Sequence, residues 1–305
     1  MADLYIIGQF NGVAATTAVS IGSQVMHMLT VIIVGLAMGT TVTVGRAIGA
    51  KKTDEASLAI GNTVTLFMIV SVVFTLGLLL LLKPIVALIS TPQEAVQGTI
   101  QYLFVCFIGI PFITAYNIIS SIFRGLGDSK SPMYFVAVAC VANIGLDYLF
   151  IGVMSMGPVG AALGTTLAQT ISVAISLIAI HKKQIGVHLT KKDFKPQVSV
   201  MKMLLSIGVP VALQDGFIQV AFIVITIIAN QRGLNPAAAV GIVEKFISAA
   251  FIVPSSMLAT VSALAAQNIG ADKHDRAAKT LYTAMLITSA VSYTHLRAHE
   301  TRHDL

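Results

Sequence analysis

Apolar residues run in long blocks along this chain, and polar residues are confined to the short stretches between them. Leu4 to Gly45, Ala56 to Leu82, Ala95 to Phe123 and Tyr148 to His181 contain no Asp, Glu, Lys or Arg. Each block meets or exceeds the roughly 20 residues that carry an α-helix across a bilayer, and several accommodate two crossings. Runs such as Leu76 to Leu82 and Ile223 to Ile228 do not alternate polar and apolar residues as a membrane β-strand does. The pattern predicts an all-α integral membrane protein. Its expected elements are a partial first span ending near Gln9, then spans at about 15–44, 57–82, 98–122, 132–153, 158–181, 201–229, 237–268 and 277–291.

Composition supports this reading: 56% of the 305 residues are hydrophobic and 10% charged, against about 25% charged in a soluble domain. The net charge of +6 does not point to nucleic acid, because the basic residues sit in loops and form no stripe on one element. Loops after spans two, four, six and eight hold Arg46, Lys51, Lys52; Arg124, Lys130; Lys182, Lys183, Lys191, Lys192, Lys195; and Lys273, Arg276, Lys279. The other loops hold Lys83 and Arg232. Thirteen against two predicts a cytoplasmic N-terminus and cytoplasmic even-numbered loops. Cys106 and Cys140 lie in apolar segments with neither metal-ligand spacing nor a disulfide framework.

An ungapped internal repeat runs at a constant offset of 221. Ile48-Gly49-Ala50 recurs as Ile269-Gly270-Ala271, and Lys52, Asp54 and Ala56 recur as Lys273, Asp275 and Ala277. Upstream, Gly12, Ala18, Val19 and Ile21 match Gly233, Ala239, Val240 and Ile242. Six spans separate the copies, an even number, so both copies share one orientation. This predicts two parallel repeats about an axis along the membrane normal, a recurring plan among secondary transporters.

Four segments carry a more specific likeness: Met1 to Gly8, the loop Phe123-Arg124-Gly125-Leu126-Gly127-Asp128-Ser129-Lys130-Ser131-Pro132, the stretch Gly157 to Ala162, and Ala266-Gln267-Asn268-Ile269-Gly270-Ala271. In order and spacing they resemble the multidrug and toxic compound extrusion (MATE) family, in its bacterial drug-exporting and DNA-damage-inducible branch. The resemblance implies a twelve-helix transporter in two six-helix lobes, exporting cationic or amphipathic compounds against inward Na⁺ or H⁺. On this reading residues 1–181 form the first lobe, 182–200 the inter-lobe loop, and 201–291 part of the second lobe. Against the family pattern the chain begins half a span into its first helix and stops in the ninth. The polar segment 292–305 is expected to be a non-native tail.

Ionisable groups inside spans cost roughly 2.5–3.5 kcal/mol each on insertion scales, so each asks for a role. Asn143 and Asp147 are four apart and share one helix face. With Asp3 and Thr165 they supply carboxylate, amide and hydroxyl oxygens, the ligands a hard cation takes. Two carboxylates in one dry pocket repel each other and hold a proton or metal ion more tightly. The resemblance places the family's first-lobe cation site on the same Asp3, Asn143, Asp147 and Thr165, adding the backbone carbonyl of Ala161. The alternative is that a neighbouring hydroxyl satisfies Asp147 while Asp3 sits at the membrane edge.

Asp215, following the helix-kinking Pro210, with Gln214, Glu244 and Tyr116 are weaker candidates for a substrate cavity. Arg124, Asp128 and Lys130 read as topology and turn determinants. Other readings are a lipid-linked oligosaccharide flippase of the same superfamily, an inactive transporter fragment, and a membrane-embedded enzyme. The chain carries no His-Glu-x-x-His, Gly-x-Ser-x-Gly or Asp-rich diphosphate motif for the last. The expected partners are the lipid bilayer and a small-molecule substrate, with no nucleic acid, no cofactor beyond the coupling ion, and a monomeric transporter in the bacterial cytoplasmic membrane.

Overall fold

In the computed structural model, which describes residues 2–183, 186–231 and 234–300, every regular element among the described residues is helical. The order is α1 (Ala2–Phe10), α2 (Val13–Gly49), α3 (Thr53–Leu80), α4 (Leu82–Leu88), α5 (Gln93–Ile108), α6 (Ile110–Gly125), α7 (Lys130–Asp147), a π-helical segment (Tyr148–Val153), α8 (Gly157–Lys183), α9 (Val198–Gln231), α10 (Leu234–Gly270) and α11 (His274–Glu300). Six described helical runs are long and apolar enough to cross a membrane, and α5 with α6 makes a seventh, bent by 49°. The 37 residues of α2 reach about 55 Å at 1.5 Å each, longer than a bilayer with its headgroups.

Three features depart from a plain series of spans. The expected fourth span is broken at Gly109, because Pro111 in the first turn of α6 lacks an N–H and its ring excludes the carbonyl four residues earlier. The stretch around Lys83, expected as loop, forms α4, whose Leu82 and Val86 are four apart and buried in the core. The fifth span changes to π-helical winding immediately after Asp147. The segment 292–300 continues α11 as helix. Gly233 of the upstream repeat and the side chains of Ala239, Ile242, Glu244 and Lys245 lie outside the described residues.

The repeat is present in the backbone at the same offset of 221. At the end of α2, Lys51 takes φ 59°, its N–H bonds the Ile48 carbonyl and the Lys52 N–H bonds the Ala47 carbonyl. At the end of α10, Asp272 takes φ 57°, its N–H bonds Ile269 and the Lys273 N–H bonds Asn268. Both are Schellman turns closing a helix with a left-handed residue.

These two helix ends also touch. A Cβ added to Gly49 would run into the Gln267 carbonyl, and one added to Gly270 into the Arg46 carbonyl. Exchanging residues 221 apart turns the first contact into the second, the signature of a two-fold relation. Further along α2, Gly39 meets the Leu204 carbonyl of α9, Gly208 of α9 meets the Leu36 carbonyl, and Gly35 meets the backbone of Ala212. Without a hydrophobic effect to drive helices together in lipid, such backbone approaches supply the contact. They fall in the second half of α2, while Gly22 in its first half packs on Tyr102 of α5.

The basic loops gather at this same end. Asn62 of α3 donates to the Asp193 carbonyl (3.1 Å) and accepts from the Gln197 N–H (2.7 Å). Ser57 and Thr65 donate to the carbonyls of His188 and Phe194. The segment 188–197 is thereby stapled to the first half of α3, next to Lys51 and Lys52. The loop after α6 joins α10 through Gln267, whose Nε2 donates to the Gly125 carbonyl at 2.9 Å. Asp128 accepts from the N–H groups of Lys130 and Ser131 and from the Ser131 hydroxyl, so it starts α7 as the turn reading required.

Candidate cation site

Helix α1 presents Asp3 because the rest of its face is anchored. Asp3, Ile6, Ile7 and Phe10 follow the i, i+3, i+4, i+7 spacing of one helical stripe. Ile6 and Ile7 are buried in a core cluster with residues of α2, α5 and α8. The Phe10 ring meets Tyr148 edge-on at 6.2 Å, which ties the end of α1 to the π-helical segment.

Asp147 is the last residue of α7 and is 0% exposed. Neither of its carboxylate oxygens has a hydrogen-bond partner in the protein, and the same holds for Nδ2 of Asn143 one turn earlier. The alternative in which a neighbouring hydroxyl satisfies Asp147 is therefore not what the fold provides. Asp3 is a neighbouring carboxyl of Asp147, and the Thr165 hydroxyl donates to Asp3 Oδ2 at 3.3 Å. Ala161, one turn before Thr165 on α8, is fully buried. Asp3, Asp147 and Thr165 are thus brought together from α1, α7 and α8, with Asn143 on the Asp147 face and Ala161 on the Thr165 helix.

An ionised carboxylate away from water costs several kcal/mol unless paired. Here two carboxylates face each other with one hydroxyl between the helices. The donor set is all oxygen, the amide contributing its carbonyl, and has no cationic side chain among the residues named; it fits a hard monovalent cation or a shared proton.

Residues outside the sequence-based set complete these surroundings. Gly164 has no side chain where a Cβ would overlap Oδ1 of Asp147 and stand 3.2 Å from its Cγ. Gly160, four residues earlier, meets the backbone of Phe150 in the same way. Two glycines four apart on a helix mark a close-packing face, and that spacing was the available signal. The Tyr102 hydroxyl, 3.0 Å from Ser23 Oγ, is a neighbour of Asp3. Thr166 Oγ1 and Gln169 Oε1 on α8 are buried without protein partners.

The weaker candidates do not converge. Asp215 is half-buried and Gln214 exposed on α9, just past Ala212, where α9 rests on α2. Tyr116 packs instead with Phe123 and Phe135, beside Ser120, Arg124 and Cys140. The Glu244 side chain is outside the described residues.

Curated relatives include the probable multidrug resistance proteins YoeA and YpnP of Bacillus subtilis. YoeA is 27% identical over 283 residues and YpnP 29% identical over 274. Each alignment covers 90% of this chain and 61% of the relative, so the chain spans about three fifths of their length. Among solved structures, a MOP superfamily transporter from Pyrococcus furiosus superposes with a TM-score of 0.85 at 24% identity, over 97% of this chain and 65% of that one. A structure described as the outward-facing conformation of a multidrug resistance MATE family transporter gives 0.83 at 24% identity, over 97% and 65%. Both establish a shared fold. The MatE family model matches residues 1–149 and 210–294, well over half of the sequence, and the chain belongs to that family.

Proposed function

We infer that this chain forms the larger part of a secondary transporter that exports cationic or amphipathic small molecules in exchange for Na⁺ or H⁺. The observation that carries this reading is Asp147, fully buried with both oxygens unpartnered, set against Asp3 and Thr165. Asp3, Asn143, Asp147, Thr165 and the Ala161 carbonyl take up the ion, and its charge removes the repulsion between the carboxylates. Because Asp3 lies on α1, bringing it closer to Asp147 repacks α1 and alters the substrate surface beside it. Release of the ion to the other side resets the site. The basic loops gathered at one end mark the cytoplasmic face by the positive-inside rule. The multidrug naming of the bacterial relatives supports a broad apolar or cationic substrate class in the bacterial inner membrane.

The test is cation-dependent dye transport in everted membrane vesicles, comparing the native protein with Asp147→Asn. The substitution keeps the shape and removes the charge, so coupling to the cation gradient is expected to disappear. Fully coupled transport by Asp147→Asn would sink the site assignment.

A further inference from the structure

Two motifs that the mechanism above does not use, Arg124 to Asp128 after α6 and Ala266 to Ala271 at the end of α10, lie against each other. Gln267 reaches across from α10 to donate to the Gly125 carbonyl at 2.9 Å. Its Nε2 is 3.0 Å from the place where a Cβ on Gly127 would stand. Gly127 holds φ 88°, a conformation that L side chains avoid, so the loop needs glycine there for two reasons. On the other side of that glycine, Asp128 is engaged in capping α7. The loop is therefore shaped by its own lobe and presents the Gly125 carbonyl as a fixed acceptor.

Directly beside this bond is the reciprocal pair in which Gly49 meets the Gln267 carbonyl and Gly270 meets the Arg46 carbonyl. A contact that maps onto itself when the repeats exchange is isologous, so one rotation of the lobes opens or closes both halves together. The side chains break the symmetry: Arg46 is exposed, whereas its repeat equivalent Gln267 is half-buried and enters the first lobe. The connection is polar, made to a backbone acceptor, and it lies at the end where the basic loops gather.

We propose that Gln267 is a positioning residue of the transport cycle, a latch that holds α10 on the Gly125 carbonyl while the basic end of the transporter is closed. The proposal rests on the reading above that the protein alternates between two conformations. Removing one net hydrogen bond changes a two-state ratio by about two- to tenfold. That is strong enough to bias the closed state and weak enough for ligand binding to reverse it.

The experiment measures distances between spin labels at Lys52→Cys and Lys273→Cys, which are exposed and repeat-related. The protein is held in lipid nanodiscs with Cys106 and Cys140 replaced by Ala. Gln267→Ala and Gln267→Glu are expected to raise the long-distance population two- to tenfold. Gly49→Ala and Gly270→Ala push on the same contact from equivalent positions and are expected to raise it by similar amounts. Gly77→Ala, whose Cβ meets nothing within 4 Å, leaves it unchanged. Native-like distributions in both Gln267 variants, with melting temperatures intact, overturn the proposal, as does an equal shift in Gly77→Ala. The labels report the latch without using the coupling ion, so loss of the cation-site reading through Asp147→Asn and loss of the latch are separate results.

Discussion

Replacing Gly164 by Ala tests the candidate site without substituting any of its ligands. The added Cβ would overlap Oδ1 of Asp147 and lie 3.2 Å from Cγ and 3.5 Å from the backbone nitrogen of the same residue. Comfortable contacts between such atoms begin near 3.5 Å, so the carboxylate has to move by about 1 Å. Asp147 ends a helix whose backbone is packed against α8, which leaves its side-chain torsion to absorb the shift. A rotation of about 30° off a rotamer costs roughly 0.5–1.5 kcal/mol, and overpacking in a filled site typically 1–3 kcal/mol. Together these predict a cation affinity lower by about 10- to 100-fold, which is roughly 1.4–2.7 kcal/mol. The assay is equilibrium binding of radioactive Na⁺ to purified protein, with proton uptake on acid titration as the parallel measurement for H⁺. Gly145→Ala, whose Cβ meets nothing within 4 Å on α7, is the control. If Gly164→Ala binds the ion with native affinity, Asp147 Oδ1 is not a ligand.

Two further outcomes follow from the basic end of the molecule. Asn62→Ala removes the donor to Asp193 and strands the Gln197 N–H, a loss of about 1–3 kcal/mol, so cleavage by trypsin after Lys191 and Lys192 should rise at least several-fold; an unchanged digestion rate would show that the staple does not restrain the linker. The Thr190 N–H and hydroxyl hold the Asp193 carboxyl below its ordinary range. A depressed folded value means that its contribution is complete above the unfolded carboxylate range and fades only as pH falls through the lower folded value, so native digestion, taken relative to digestion of an unfolded substrate at the same pH, should be flat between pH 5 and 8; a change in that ratio within the window would contradict this. Lys51→Gly and Asp272→Gly each relieve a left-handed backbone that costs a side-chain-bearing residue about 1 kcal/mol, and both should raise the melting temperature by similar amounts; a fall in either argues against the repeated turn.

Much of the fold was legible because membrane spans are written in consecutive residues. An apolar block has to satisfy its own backbone hydrogen bonds in lipid, so the helices, their approximate ends and the gathering of Lys and Arg at one end follow from the chain read in order. The offset of 221 was legible too, since both copies of a Schellman turn need similar local residues. Asn143 and Asp147 could be placed on one face by helical spacing alone, and so could the Asp128 turn. The resemblance, more than the spacing, brought in Asp3, Thr165 and Ala161.

What only tertiary structure decided were the meetings between elements distant in sequence. No local pattern says that Asp147 lacks a partner, that Gly164 is bare because a carboxylate occupies its Cβ position, or that Tyr116 and Asp215 lie apart. The π-helical turn after Asp147 lies against α8, where Gly160 meets the backbone of Phe150. The reciprocal contact of Gly49 and Gly270 shows the difference most simply. The sequence announced two similar helix ends, and their spatial pairing depends on backbones approaching where neither carries a side chain. Close packing of that kind is a property of two surfaces together, which no single segment encodes.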